Sequence, residues 1–305
     1  MGKAYVYTAF GGPEVQRFVD LPTPTPGEGE LLVRVQAAGV NPADWKRRSN
    51  LRRSPDPFPG DTPMGLEAAG VVEAVGSGTE GFAVGDRVFG SVARNGGWSE
   101  HSVLSVGQAA LIPDGVSFAD AATLPVAAAT AYDAIVQLKL QPGETVVVTG
   151  AGGGCGIAAA QIAQAQGARV IGTASEAKRQ LLESIGVQHA VYGEGEADRV
   201  QALAPGGIDA LYDNVGGTSL RALGPLVKDP SRIVTAADVP TATELGGAAV
   251  ARARNSEVLR IVAQMVADGT LKPFVTEVFP LDRVGDALAL VEGGHATGKV
   301  VVEVG

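Results

Sequence analysis

The stretch 145–173 constrains this chain more than any other. It reads Thr145-Val-Val-Val-Thr-Gly-Ala-Gly-Gly-Gly-Cys-Gly-Ile-Ala-Ala-Ala-Gln-Ile-Ala-Gln-Ala-Gln-Gly-Ala-Arg-Val-Ile-Gly-Thr173. A β-branched strand runs into a turn of glycines, then an Ala-rich helix stopped by Gly167, then a second strand. That succession is a βαβ unit with a phosphate-binding turn, the opening of a dinucleotide fold. The turn is Ala151, Gly152, Gly153, Gly154, Cys155 and Gly156. Glycine lets the backbone come close to a pyrophosphate, and the helix expected from Cys155 turns N–H groups toward its negative charge. A glycine-rich loop packed for its own sake would need neither the helix nor the second strand.

At 305 residues the chain has room for two domains of roughly 150 residues each. Helix and strand patterns alternate through its second half, so the fold class is α/β. A net charge of −9 argues against nucleic acid and anionic membrane surfaces, which call for basic patches. Residues 1–20 lack the basic, apolar and small-residue succession of a signal peptide. No run of about 20 apolar residues stands out as a membrane span. The longest weakly polar run, 119–136, contains Asp120, Pro125 and Asp133 and is read as core. One cysteine, Cys155, excludes an intrachain disulfide and fits a reducing cytoplasm. His101, His189 and His295 are scattered without ligand spacing, so no metal site is expected. Cys155 is either a thiol activated by a helix N-terminus or a residue that fills the turn.

Short strands are expected at 4–10, 30–38, 70–75 and 86–90, separated by Pro- and Gly-rich turns, in a strongly bent β domain. Helical spacing begins at 119–138, ahead of the βαβ unit. A helix follows at 176–185, then strands at 189–192, 208–212 and 232–236. The turns after Thr149, Thr173, Tyr212 and Ala236 lie at strand carboxyl ends, where open α/β sheets gather ligands. A helix at 256–267, a strand at 275–279, a helix at 281–291 and a strand at 299–304 complete the reading. The segment 237–255 gives no clear pattern.

Several separated pieces resemble one family. They are Gly39-Val-Asn-Pro-Ala-Asp44, Gly65-Leu-Glu-Ala-Ala-Gly70, Val84-Gly-Asp-Arg-Val-Phe89, Leu124-Pro-Val-Ala-Ala-Ala-Thr-Ala-Tyr132, the glycine turn, Asp213-Asn-Val-Gly-Gly217 and Gly298-Lys-Val-Val301. In this order the chain resembles the zinc-free quinone oxidoreductase branch of the medium-chain dehydrogenase/reductase superfamily. The resemblance implies a GroES-like β domain from residues 1–120, completed by 266–305, and a Rossmann-type doubly wound parallel sheet from 121–265. The nicotinamide would lie in the cleft between them. Zinc-dependent relatives carry a cysteine ligand at the place of Asn41 and a histidine at the place of Leu66. An amide and a leucine do not replace a thiolate and an imidazole on zinc.

The resemblance further implies that Asn41 sits beside the nicotinamide, where its amide can donate to an acceptor oxygen as charge develops. The alternative is a turn-capping role ahead of Pro42. Asp44 matches the same motif. It either orients backbone or a ribose hydroxyl, or N-caps a short helix beginning near Trp45. Thr130 matches a residue near the nicotinamide, and Asn214, Val215 and Gly216 are expected beneath the cofactor. Trp45, Phe58 and Trp98 are candidates for the acceptor pocket. The second strand of the βαβ unit ends at Ala174, where NAD-selective sites carry an acid. Ser175 and Lys178 can hold a 2′-phosphate, and Lys178 and Tyr192 match the family's phosphate-binding places. NADPH is therefore the expected cofactor, with Glu176 the one contrary charge.

The expected activity is hydride transfer from NADPH to a quinone, with 2-enone or alkenal reduction as the alternative acceptor chemistry. An NADPH-binding protein without significant turnover is the reading from another class. Relatives often dimerise through edge strands of the nucleotide domain, so a homodimer through 232–236 or its neighbour is possible on this pattern. Departures from the family are Cys155 in place of a valine, and Ala287-Leu-Ala289 where an alanine–histidine pair is common.

Overall fold

The computed structural model describes residues 1–51, 58, 60–94, 96–294 and 296–305; His295 lies outside the described residues. In chain order the first elements are β1 (Gly2–Tyr7), β2 (Gln16–Leu21), β3 (Glu30–Val40), α1 (Pro42–Arg48), β4 (Thr62–Pro63), β5 (Glu67–Val75), β6 (Arg87–Arg94), β7 (His101–Leu111) and α2 (Phe118–Ala121). A wide helical turn, Leu124–Ala128, leads into α3 (Ala129–Leu138). The middle of the chain is β8 (Thr145–Thr149), α4 (Gly154–Ala165), β9 (Arg169–Ala174), α5 (Arg179–Ser184), β10 (Gln188–Val191), α6 (Glu196–Leu203) and β11 (Ala210–Asp213). It continues through α7 (Gly217–Leu223), β12 (Ile233–Thr235), α8 (Val239–Glu244) and β13 (Ala248–Ala249). The return is α9 (Ser256–Ala267), β14 (Val275–Pro280), α10 (Val284–Glu292) and β15 (Lys299–Glu303).

These elements form two compact units. One comprises Met1–Val126, Arg254–Ala267 and Pro273–Gly305; the other comprises Ala127–Ala253 and Asp268–Lys272. In the first unit β3 organises a sheet of order β14-β15-β3-β5-β6-β7. One edge of β3 pairs with β5 along its length, while its other edge takes β7 over residues 30–34 and β15 over residues 37–40. Because β7 also pairs with β6, the sheet closes on itself. Closure removes free edges and requires strong bending, and the register shifts at Leu32/Val33 and Val35/Ala37 supply it. Three strands in this unit, β2, β4 and β7, have no counterpart among the strands expected from the sequence. Ser102, Ser105, Gly107 and Gln108 break up the apolar pattern of β7 and hide its alternation.

The second unit is a six-stranded sheet of order β10-β9-β8-β11-β12-β13, parallel at every pairing. The order in which strands are added reverses between β8 and β11, so that gap is the switch point where such sheets bind ligands. β8 is buried at all five positions, which explains its unbroken run of β-branched residues. The winding is Rossmann-type, as expected. Of the two edge candidates, 232–236 and its neighbour, β12 is interior and the neighbouring β13 takes the outside. The unreadable segment 237–255 holds α8 and β13. Asp238 caps α8, accepting the Thr241 N–H at 3.1 Å.

Phe118–Leu138 is 21 residues and apolar enough to cross a membrane by length and composition, contrary to the sequence reading. In the fold 72% of its most apolar window is buried, the pattern of a core helix.

Candidate active and nucleotide sites

The first unit gathers four polar side chains from distant places in the sequence. α1 starts at Pro42, where a missing N–H costs nothing, and Asn41 is the residue just outside it. Asp44 is therefore not the N-cap that the sequence suggested. It stands in the first turn, and its Oδ2 accepts the Asn41 backbone N–H at 2.8 Å. That bond is one half of a capping box in which Asn41 is the N-cap, so the turn-capping role and the contacts below belong to the same residue.

The Asn41 carboxamide points into the protein. Its Nδ2 donates to Glu67 Oε1 at 2.7 Å, and its Oδ1 accepts from Lys299 Nζ at 2.6 Å. Lys299 also donates to Glu67 Oε1 at 2.9 Å and, at 3.5 Å, to the Val40 carbonyl. Glu67 Oε2 accepts the Val126 N–H at 2.8 Å. Asn41, Asp44, Glu67 and Lys299 are only 3, 3, 0 and 6% exposed, respectively. Gly39 makes room for this cluster, since a Cβ there would lie 1.9 Å from Glu67 Oε1 and 2.7 Å from the Ala122 carbonyl oxygen.

Charges buried this deeply persist only when paired. Lys299 and Glu67 cancel one another, which makes Asp44 the surplus charge. Burial pushes the Asp44 carboxyl up to about 7; the Glu67 charge adds to the rise, and the Asn41 N–H and Lys299 oppose it. Glu67 and Lys299 belong to the site although sequence reasoning does not assign them to it. The available signal was one carboxylate and one ammonium, each heading a mostly apolar strand.

Among the pocket candidates, Trp98 is completely buried and donates Nε1–H to the Gly39 carbonyl at 3.2 Å. It is core beneath the cluster and cannot line a pocket. Phe58 packs on Tyr7 and Phe10, with ring centroids 5.6 and 5.2 Å away. Trp45 is half-buried. Arg48 anchors α1 to α10 by two hydrogen bonds to Glu292, 2.7 and 2.9 Å.

In the second unit the glycine turn is a close-packed cradle. Helix α4 starts at Gly154, one residue earlier than expected, with Gly153 at its N-cap. The Ala151 N–H is tied to the Thr173 carbonyl at 3.0 Å. A Cβ on Gly156 would come within 2.4 Å of the Gly150 carbonyl oxygen, so only glycine allows the helix to meet the strand end. A Cβ on Gly152 would lie 2.2 Å from Lys178 Cδ. Lys178 thus lies across the glycine turn, and burial lowers its ammonium below the ordinary lysine range. Cys155 Sγ is engaged, 3.1 Å from the Tyr212 hydroxyl and 3.4 Å from the Ala127 carbonyl oxygen. Tyr212 is wholly buried, which holds its hydroxyl well above its ordinary titration range.

The Ser175 carbonyl accepts the Lys178 N–H at 3.0 Å, and the Tyr192 N–H reaches the Ala174 carbonyl at 3.2 Å. These bonds bring Ser175, Lys178 and the exposed Tyr192 to the carboxyl ends of β9 and β10. Glu176, the contrary charge, is held by Arg179 through contacts of 2.6 and 2.9 Å, which lower its carboxyl below the usual range. Thr130 is buried near the start of α3.

At the switch point Asp213 is the organiser that the sequence reading passed over. Fully buried, it accepts from Thr149 Oγ1 at 2.8 Å and from Thr235 Oγ1 at 2.6 Å, joining the ends of β8, β11 and β12. It also accepts the Val215 and Gly216 N–H groups at 3.1 and 2.9 Å. Those two amides are therefore committed to Asp213 and leave no donor for a ligand. Asn214 is fixed as well, its Nδ2 on the Thr149 carbonyl at 3.1 Å. Among the described residues no group of three or more His, Cys, Asp or Glu could hold a metal ion.

A closed β unit with a buried polar cluster, joined to a parallel sheet with a phosphate-binding turn at its switch point, defines a dinucleotide-fold oxidoreductase. Residues 27–131 match the alcohol dehydrogenase GroES-like domain, and residues 185–302 match the zinc-binding dehydrogenase model. The human synaptic vesicle membrane protein VAT-1 homolog is 32% identical, covering 98% of this chain and 86% of its own length. Human quinone oxidoreductase is 30% identical over 96% of this chain and 95% of its own. The chloroplastic NADPH-dependent alkenal/one oxidoreductase of Arabidopsis thaliana is 32% identical over 98% and 79%. Among solved structures, the quinone oxidoreductase of Coxiella burnetii superposes with a TM-score of 0.89 at 27% identity, covering 100% of this chain and 99% of that one. A mycobacterial protein complexed with NADPH gives 0.87 at 29% identity, covering both chains fully, at 100% each. The chain belongs to the medium-chain dehydrogenase/reductase superfamily.

Proposed function

We propose that this oxidoreductase is NADPH-dependent and zinc-independent, and that it reduces a quinone, with an α,β-unsaturated carbonyl as the second acceptor class. One observation carries the reading. The polar cluster at Asn41 already contains its cation, the Lys299 ammonium, 2.6 Å from the amide oxygen and 2.9 Å from Glu67. A divalent metal at that place would face an ammonium in a poorly screened interior, with neither thiolate nor imidazole to hold it. The cluster does not fit zinc.

The nucleotide unit fits NADPH. Lys178 over Gly152, Ser175 and the Arg179-bound Glu176 leave a positive balance where a 2′-phosphate would bind. The glycine turn would take the pyrophosphate at the start of α4. When bound, the cofactor supplies a hydride. Asn41 supplies an N–H toward the acceptor oxygen, and a donor fixed in advance stabilises the developing negative charge without reorganising. Asp44, the one surplus acid of the cluster, is engaged by the Asn41 backbone N–H, and water is taken as the source of the final proton. The relatives named for quinone and for alkenal/one reduction support both acceptor classes.

The test is loss of nicotinamide absorbance with NADPH and with NADH against paired quinone and enone panels, with and without a chelator. Turnover with NADPH that survives the chelator is the expected result. Activity abolished by the chelator and restored by zinc would reject the metal-free reading. Tight NADPH binding without turnover on either panel would reject the reductase reading.

A further inference from the structure

We infer that Lys299 and Glu67 are positioning residues that fix which end of the Asn41 carboxamide is a donor; the inference rests on the reading of Asn41 given above. A carboxamide is nearly symmetric in shape, so packing alone hardly distinguishes its oxygen from its nitrogen. Here charge distinguishes them. The ammonium lies 2.6 Å from Oδ1 and the carboxylate oxygen 2.7 Å from Nδ2. Flipping the amide would set NH₂ against NH₃⁺ and C=O against a carboxylate, both repulsive, where little solvent screens them.

The donor count leaves one Asn41 hydrogen uncommitted. Lys299 spends its three N–H groups on Asn41, Glu67 and the Val40 carbonyl, so it keeps none for a substrate. Glu67 accepts from Asn41, Lys299 and the Val126 N–H. Asn41 Nδ2 has two hydrogens and gives one to Glu67. The second has no partner among the described residues, and it is the one available to an acceptor oxygen. The ammonium on Oδ1 also draws electron density from the amide and makes that hydrogen a stronger donor. The pair therefore orients and polarises Asn41 without touching the reacting atoms.

Changing Lys299 alone would strand a buried carboxylate and endanger folding. The test therefore uses the double variant Lys299→Met/Glu67→Gln, which removes both charges and keeps polar groups at position 67. The first readout is the Asn41 side-chain amide resonances in ¹⁵N-labelled protein without acceptor, identified by their loss in Asn41→Ala. One sharp, slowly exchanging pair is expected in the parent, and a broadened or doubled, faster-exchanging pair in the double variant. The second readout is turnover: kcat falls roughly 10- to 100-fold, as expected when a fixed donor is misplaced, with acceptor KM and NADPH affinity changed little. Adding Asn41→Ala to the double variant costs nothing beyond Asn41→Ala alone. Unchanged Asn41 resonances, or a kcat within about twofold of the parent, would overturn the inference. If the parent reduces no acceptor, the proposed function fails, and the resonances still decide whether the pair orients the amide.

Discussion

Asp44 is where burial acts most visibly on a single group. Its folded carboxyl holds a proton up to about 7, against an ordinary value of 3.8. The folded chain therefore binds more protons than the unfolded chain between those values. The associated stability is fully present below 3.8 and is lost as pH rises through about 7. Asp44→Asn cannot ionise and still accepts the Asn41 N–H. Its unfolding free energy should gain on the parent's as pH rises from 3.8 to about 7, by up to about 1.4 kcal/mol per pH unit, and level off above that window. A pH-independent difference between the two melting curves would contradict this. Lys178→Ala should weaken NADPH binding about tenfold or more and leave NADH binding nearly unchanged; equal losses in a fluorescence titration would remove its phosphate-binding role. Much at this scale was legible: the motif carrying Asn41 and Asp44 could be read directly. Glu67 and Lys299 could not be paired, because they are 232 positions apart and only the sheet makes them neighbours.

Elements were legible where sequence period and burial agree. β8 and α4 could be read because an all-buried strand and an Ala-rich helix each leave a clear pattern. α8 could not, because its six residues are too few to show a helical period and only Asp238 and Pro240 mark its start. The wide turn at Leu124–Ala128 was also invisible to periodicity, yet it lies where the Val126 N–H reaches Glu67. The contact between β8 and α4 offers a sharp test. Gly156→Ala places a methyl 2.4 Å from the Gly150 carbonyl oxygen and 2.6 Å from Ala151 Cα, both backbone atoms that cannot rotate aside. We expect a loss of roughly 1–3 kcal/mol from overpacking and a marked loss of NADPH affinity, measured by denaturant unfolding and by titration. Full stability with full affinity would show that the helix can shift at no cost.

For the whole molecule, the α/β class and the two kinds of sheet could be read from the order of patterns along the chain. The strand that ends the nucleotide sheet could not, because β13 is only two residues long. Its exposed position makes β13, rather than β12, the edge available for pairing with a second copy. Light scattering should give a mass near twice 30.9 kDa; a monomer mass would remove the expected homodimer. The placement of Lys299 on the last strand has a consequence for how the protein is made. At roughly 5–20 residues per second, a ribosome finishes the sheet of the nucleotide unit seconds before it reaches the residue that neutralises Glu67. Until then the growing chain carries an unmatched carboxylate that resists burial. On the proposed role of Lys299, a chain cut short before position 299 would lack the ammonium that faces both Asn41 and Glu67.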